Sequence, residues 1–307
     1  MKQQLRGLVF DIERFATKDG PGIRTVLFFK GCHLHCLWCQ NPESQRRQPE
    51  IMYDASKCAG CGRCLVNCPQ HAIRKNSEFG TLTDPDLCRL CCNCVEHCYY
   101  DARKLVGKYY TVDQLMEAIR RDKSFFDNSR GGVTFSGGEP LLQKDFLQAV
   151  SKACQNEGIH TALETCGHSR WETFADLLPH LNLVYFDLKH IDPVLHKKYT
   201  GVSNDLILSN LKNLSSAFQP LIVRIPVVPS YNDGVEVQRQ MYEFLKQNLD
   251  NLHSVELLPF HRLGSSKYRG LGRRYSMEDV RSLRKEDLQH LQAIGTELGL
   301  PITIGSV

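Results

Sequence analysis

The chain has 307 residues, 42% hydrophobic and 23% charged, with a formal net charge of +4. That is ordinary globular composition, long enough for one large domain plus a small one. The charge is too weak and dispersed to argue for nucleic acid or an anionic membrane as partner. No apolar run approaches the roughly 20 residues of a membrane span. The start, Met1-Lys2-Gln3-Gln4-Leu5-Arg6, lacks the apolar stretch of a signal peptide. A cytoplasmic protein is expected, in which 14 cysteines point to metal or redox chemistry rather than to a disulfide scaffold.

In chain order, the turn-rich Asp19-Gly20-Pro21-Gly22 comes first. The apolar, β-branched stretch from Thr25 to Phe29 then reads as a buried strand. It runs into Lys30-Gly31-Cys32-His33-Leu34-His35-Cys36-Leu37-Trp38-Cys39. Three thiolates at C-x3-C-x2-C spacing can hold three corners of a 4Fe-4S cluster, which normally takes four cysteines. With no fourth ligand, one iron stays open to a small molecule, just as an open position marks catalytic zinc. On spacing alone, part of a zinc site is the alternative.

A polar linker, residues 44–50, leads to two cysteine tetrads, Cys58-x2-Cys61-x2-Cys64-x3-Cys68 and Cys88-x2-Cys91-x2-Cys94-x3-Cys98. Duplicated C-x2-C-x2-C-x3-C marks two-cluster ferredoxins, in which the fourth cysteine of each run ligates the other cluster. By that rule Cys58, Cys61, Cys64 and Cys98 hold one cluster, and Cys88, Cys91, Cys94 and Cys68 the other. Zinc sites more often show two separated cysteine pairs. Cys92 adds a thiol beside Cys91; the spacing selects Cys91, and Cys92 reads as a small packed side chain.

Beyond residue 105 the pattern alternates. Strands are expected at Gly132–Phe135, His160–Leu163, Val184–Asp187, Leu221–Pro226, Val255–Leu258 and Ile302–Ile304. Amphipathic helices are expected at Val112–Arg121, Leu142–Glu157, Trp171–Leu181, Asp205–Phe218 and Glu236–Asn248, with a long one at Met277–Leu298. Alternation implies an α/β fold with a parallel sheet and right-handed crossovers, whose functional residues gather at the C-terminal strand ends. Ser136-Gly137-Gly138-Glu139-Pro140, Glu164-Thr165-Cys166-Gly167, Asp187-Leu188-Lys189, Arg224 and His261 all fall at or near such ends. Cys154 and Cys166 have no motif partners and read as buried small residues.

The Cys32–Cys36–Cys39 loop, with Trp38 before its third cysteine, resembles the cluster loop of radical S-adenosylmethionine (SAM) enzymes. Asp19-Gly20-Pro21-Gly22-Ile23-Arg24-Thr25 and Asn41-Pro42-Glu43 narrow the resemblance to the glycyl-radical-enzyme activating enzymes. The resemblance runs through nearly the whole chain. It implies a partial (β/α)6 TIM-like barrel from residues 1–49 and 106–307, with a ferredoxin-like insert at 50–105. It implies three 4Fe-4S clusters, one of them binding SAM. It places Trp38, Gly137, Gly138, Glu139, Thr165, Asp187, Lys189, Arg224 and His261 around SAM. A monovalent cation is implied at Glu164, Thr165 and Asp187, although the best-known relatives carry aspartate where Glu164 stands. Asp19, Gly20, Pro21 and Gly22 would present the partner's peptide.

The activity so implied is reductive cleavage of SAM to methionine and a 5′-deoxyadenosyl radical, which takes a hydrogen atom from a backbone glycine of a partner glycyl radical enzyme. The cofactors would carry the hard chemistry, with no side chain needed as general acid or base. Flavodoxin or ferredoxin is the expected electron donor, and the chain is expected to be a monomer. Two rivals are a radical SAM enzyme acting on another substrate and a plain ferredoxin-like electron carrier. The second accounts for residues 58–98 and leaves the first cysteine loop unexplained.

Overall fold

A computed structural model describes residues 4–305. Residues 1–3 of the N-terminal stretch lie outside it. The strands are β1 (Arg6–Ala16), β2 (Arg24–Phe29), β3 (Glu50–Tyr53), β4 (Ile73–Asn76), β5 (Gly80–Thr83), β6 (Arg103–Val106) and β7 (Lys108–Thr111), followed by β8 (Gly132–Gly137), β9 (His160–Thr165), β10 (Leu183–Asp187), β11 (Leu221–Val227), β12 (Ser254–Pro259) and β13 (Ile302–Ile304). Helices α1 (Arg63–Val66) and α2 (Asn93–Glu96) are single turns. The longer helices are α3 (Val112–Arg120), α4 (Lys123–Ser129), α5 (Lys144–Asn156), α6 (Trp171–Leu177), α7 (Pro193–Thr200), α8 (Asp205–Ala217), α9 (Val235–Asn248), α10 (Ser265–Gly270) and α11 (Gln289–Glu297).

Nine strands form one sheet in the order β13-β12-β11-β10-β9-β8-β2-β1-β7. From β2 through β8 to β13 every pairing is parallel; β1 and β7 add an antiparallel edge. Strand alternation divides the side chains. Leu27, Phe29, Val133, Phe135, Leu163, Val184, Phe186, Val223 and Ile225 face the helices and join the main apolar core. The opposite face carries Arg24, Ser136, Glu164, Tyr185, Asp187, Arg224 and Glu256, with only a small apolar cluster around Ala162, Leu183 and Tyr185. This face curls inward. Arg224 on β11 donates to the Lys18 carbonyl in the β1–β2 loop at 3.2 Å. Three strands separate β11 from β2, a span of roughly 19 Å were the sheet flat.

Between β2 and β7 the chain builds two small hairpin-like pairs, β3 with β6 and β4 with β5, both antiparallel. The exit from the sheet is fixed by a buried charge. Lys30, with no exposed side-chain area, bonds the Glu43 carbonyl and Glu50 at 2.7 Å, and Glu50 also pairs with Arg273 at 2.8 Å. At the return, Gly107 has φ 99°, and a Cβ there would lie 2.7 Å from the Lys30 side chain.

The expected long helix at Met277–Leu298 is the principal correction: only Gln289–Glu297 is α-helical, preceded by a 3-10 turn at Lys285–Leu288. Met277, Val280 and Leu283 have helical spacing, but the fully buried Met277 and the partly buried Val280 and Leu283 pack instead with Trp38, Phe260, Tyr268 and Tyr275. The Leu283 amide bonds the Phe260 carbonyl at 2.8 Å. Tertiary packing overrides a local periodicity here. The other expected helices and strands form with boundary shifts of a few residues; Trp171–Leu181 stops at Leu177 and finishes as a 3-10 turn containing Pro179.

Candidate functional site

Strand β2 delivers the cysteine loop to its C-terminal end, where neighbouring segments pin it through the backbone. Cys32 N–H donates to Gln45 O at 3.1 Å, His35 N–H to Thr200 O at 2.7 Å and Leu37 N–H to Tyr199 O at 3.0 Å. Trp38 is 5% exposed and packs edge-on to Tyr231, ring centroids 5.6 Å apart. The indole thus anchors the loop, and it lines the same cleft as the three thiols.

Cys32, Cys36 and Cys39 open onto a cleft of about 210 Å³. Gly137 and Gly138 at the end of β8, Cys166 after β9, Asp187 and Lys189 at the end of β10, and Pro226, Leu258 and Phe260 at the ends of β11 and β12 share the lining with residues of the cysteine loop and its continuation, Asn41, Ser44 and Gln45 among them. Its walls are the C-terminal ends of parallel strands, where such sheets gather their sites.

The glycine pair is required by close approach. Gly137 has φ 113°, and a Cβ on Gly138 would lie 2.2 Å from the Gly31 carbonyl, one residue before Cys32. Glu139 lies behind this turn, fully buried. Its carboxylate accepts from Thr165 Oγ1 at 2.8 Å, from Cys166 N–H and Sγ at 2.9 Å, and from Leu141 N–H at 3.1 Å. Burial raises its pKa, against the pull of those donors. Glu139 thus braces the ends of β8 and β9 together and does not line the cleft.

The thiols need a cation to become thiolates. Burial pushes Cys36 up to about 12 and Cys39 to about 11, with the Lys189 charge opposing the rise. Burial lowers Lys189, but Asp187, at 2.8 Å, and Cys36 outweigh it and hold the ammonium charged. Cys32 is lowered, first by its contact with the Cys166 thiol. Cys166, read from sequence as a buried small residue, is buried, and it also lines the cleft beside Cys32; nothing in local spacing signals that contact.

Other expected ligands are placed elsewhere. Arg224 bonds Glu164 and Glu256, the latter at 2.7 Å, and stacks its guanidinium 3.6 Å from the Tyr185 ring centre. Glu164 also accepts from Ser136 Oγ. Glu164 and Thr165 are consecutive on β9 and face opposite sides of the sheet, so Glu164, Thr165 and Asp187 engage three different partners. His261 follows β12 outside the cleft lining, its Nδ1 accepting from Leu263 N–H at 3.3 Å. The Asp19–Gly22 loop precedes β2, at the opposite end of that strand from the cysteines; Thr134 Oγ1 donates to the Asp19 carbonyl at 2.7 Å.

In the insert, the halves around the two tetrads repeat each other. Asp54 caps one turn through Ser56 N–H, and Asp84 receives Asp86 N–H, both at 3.0 Å. Gly62 and Cys92 hold matching left-handed positions before α1 and α2, at φ 71° and 63°. Cys92 thus stands where the first half needs backbone freedom, and its thiol donates to Leu90 O at 3.5 Å. Cys68, from the first half, lines one hollow with Cys88, Cys91 and Cys94 of the second; Cys92 also borders it. Four converging cysteines suit a 4Fe-4S cluster.

The Radical SAM superfamily profile matches residues 87–239, and a 4Fe-4S binding domain profile matches residues 51–74. The 4-hydroxyphenylacetate decarboxylase activating enzyme of Clostridioides difficile (strain CD196) is 41% identical over 311 aligned residues, covering 99% of this chain and 98% of the relative. The (2S)-3-sulfopropanediol dehydratase activating enzyme of Klebsiella oxytoca is 40% identical, covering 100% of this chain and 99% of the relative. In fold, the chain is similar to a radical SAM methyltransferase from Sphaerobacter thermophilus, with TM-score 0.55 and 13% identity over 92% of this chain and 66% of that one. On the full-length identity together with the cysteine loop and its cleft, the chain belongs to the radical SAM superfamily, among the activating enzymes of glycyl radical enzymes.

Proposed function

We propose that this chain activates a partner glycyl radical enzyme by reductive cleavage of SAM. The observation that carries the reading is the convergence of Cys32, Cys36 and Cys39 with Gly137, Gly138 and Lys189 on one cleft. When bound, a 4Fe-4S cluster would supply the electron that splits SAM into methionine and a 5′-deoxyadenosyl radical, and that radical would take a hydrogen atom from a backbone glycine of the partner, giving 5′-deoxyadenosine and a glycyl radical. The protein's own share is to hold three thiolates, to leave the fourth corner free, and to exclude water. Lys189 offers a charge for a carboxylate, and the glycine pair lets a ligand approach backbone. Glu139, Arg224 and His261 act from the next layer, setting the strand ends.

In the same proposal residues 1–49 and 106–307 form a partial (β/α)6 barrel, for which the curl of the sheet is the support. Residues 50–105 form a ferredoxin-like module with two further clusters. Its ligands are Cys68 with Cys88, Cys91 and Cys94, and by the internal repeat Cys98 with Cys58, Cys61 and Cys64. The module relays electrons from a flavodoxin or ferredoxin to the SAM cluster. A monovalent cation among Glu164, Thr165 and Asp187 would first require those side chains to release Arg224, Glu139 and Lys189. The names of the relatives, a decarboxylase activator and a dehydratase activator, support an enzyme of carbon–carbon or carbon–heteroatom cleavage as partner.

Anaerobic reconstitution tests this directly. About twelve irons are expected, three clusters of four, together with reductant-dependent formation of 5′-deoxyadenosine from SAM. Changing Cys32, Cys36 and Cys39 together to alanine should remove about four irons and all cleavage. Cleavage that survives in the triple variant would overturn the assignment.

A further inference from the structure

Superposing the two halves of the insert by their cysteines pairs Ile73, five residues after Cys68, with Arg103, five residues after Cys98. Both side chains are buried, at 6% and 2% exposure. An apolar residue in one half is therefore matched by a permanent cation in the other. Arg103 has no carboxylate partner among the described ion pairs. Its Nη1 donates to Thr83 Oγ1 at 2.8 Å and Nη2 to Thr81 Oγ1 at 2.7 Å, the guanidinium lies 5.3 Å from the Tyr53 ring centre, and Nε is buried without a hydrogen-bond partner. A buried cation held only by hydroxyls and a ring is costly unless negative charge lies near.

The surroundings say where that charge would come from. Thr83, which accepts from Arg103, lines the hollow shared by Cys68, Cys88, Cys91 and Cys94, together with Ile73 and Arg89. Tyr53 lies against the Cys58 thiol of the other set. Arg103 thus stands between the two cysteine sets. Four thiolates around a 4Fe-4S cluster carry net negative charge, which grows by one on reduction, and net charge together with hydrogen bonding sets cluster potentials.

We propose that the buried Arg103 guanidinium raises the reduction potential of the insert clusters. This rests on the reading of residues 50–105 as a two-cluster module. The cation stabilises the reduced form, because its attraction strengthens as the added electron arrives. Ile73 offers no such help, so the two halves differ electrostatically at this buried position.

The test is a potentiometric titration, followed by electron paramagnetic resonance, of the anaerobically reconstituted full-length protein and its Arg103→Ile, Arg103→Gln and Arg103→Lys variants. Arg103→Ile and Arg103→Gln should need a potential more negative by about 59 mV or more, a tenfold fall in the reduced-to-oxidised ratio at fixed potential. Arg103→Lys, which keeps the charge, should titrate close to the unmodified protein. Coincident titrations, or an equal displacement in all three variants, would overturn the proposal. If Arg103→Ile loses its insert irons, the Gln and Lys variants, which retain a donor for Thr81 and Thr83, decide the outcome. Iron content separates the two readings: an unmodified protein with about four irons instead of about twelve would remove the two-cluster module itself.

Discussion

The cysteine loop and the insert use the same side chain at similar spacing and arrive at different enclosures. Cys32, Cys36 and Cys39 face about 210 Å³ shared with two glycines, a lysine and the walls of five strand ends. Cys68, Cys88, Cys91 and Cys94 close on a hollow of only about 10 Å³, lined besides by Gln70, Thr83, Arg89, Cys92 and small apolar groups. On the proposed assignment, three ligands on the open cleft would leave a coordination position for chemistry, and four ligands on the tight hollow would leave none. The difference lies less in the cysteines than in what the fold sets opposite them: strand termini in one case, a second copy of the same short motif in the other.

That contrast can be broken first at Gly138. An added Cβ would meet the Gly31 carbonyl, backbone against backbone, so Gly138→Ala should displace the loop that carries Cys32. The expected result is loss of SAM cleavage and of about four irons, with the insert's irons retained. Iron analysis beside a cleavage assay checks it; full activity would mean that the loop has slack the structure does not suggest. Glu50→Ala attacks the joint between the regions instead. Removing it strands Lys30, which has no exposed side-chain area, and breaking such a buried pair costs about 3–5 kcal/mol. Chemical denaturation should register that loss, and a change below about 1 kcal/mol, the worth of a surface pair, would show that the pair does not hold the insert.

The closed side is sharpened by two cysteine variants. Cys68→Ala should perturb the centre built on Cys88, Cys91 and Cys94 rather than the one built on its sequence neighbours, as read by cluster spectra. Cys92→Ala should leave both centres intact, since Cys92 occupies the left-handed position that Gly62 fills in the other half. Damage from Cys92→Ala equal to that from Cys91→Ala would reassign the ligand.

The smallest effect belongs to the loop before β2. Burial first, and then the Glu164 charge, raise the Asp19 carboxyl to about 6. A value above the unfolded one means that the folded state binds the proton more tightly. The resulting stabilisation is complete below about pH 4 and is lost as pH rises through about 6. Asp19→Asn, which is neutral throughout, should therefore be the more stable protein above about pH 7 by about 1–2 kcal/mol, partial exposure softening the full effect, and should match the unmodified chain near about pH 4. Parallel stability profiles for the two would show that Asp19 titrates normally.

Much of this was legible before any fold. Spacing alone placed the thiols in one loop and two tetrads, because ligands to one cluster must lie within a few residues or at a fixed register. Period-2 and period-3.6 patterns located the parallel strands and most helices, because one face of each must be buried. Glycine at 137 and 138 marked a close approach. What the sequence could not carry was set by neighbours distant along the chain. Residues 277–284 have the spacing of a helix, but Trp38, Phe260 and Tyr268 offered their apolar groups a better burial. Arg224 stood at a strand end like a cofactor ligand, and Glu164 and Glu256 on flanking strands claimed its charge. Glu139 had the motif of a contact residue, and its carboxylate turned back to Thr165 and Cys166. Local pattern determines which elements form and which chemistry they bring, because both depend on residues close in sequence. Direction, pairing and enclosure belong to the tertiary structure, because a buried charge or donor takes whichever partner the curled sheet sets beside it.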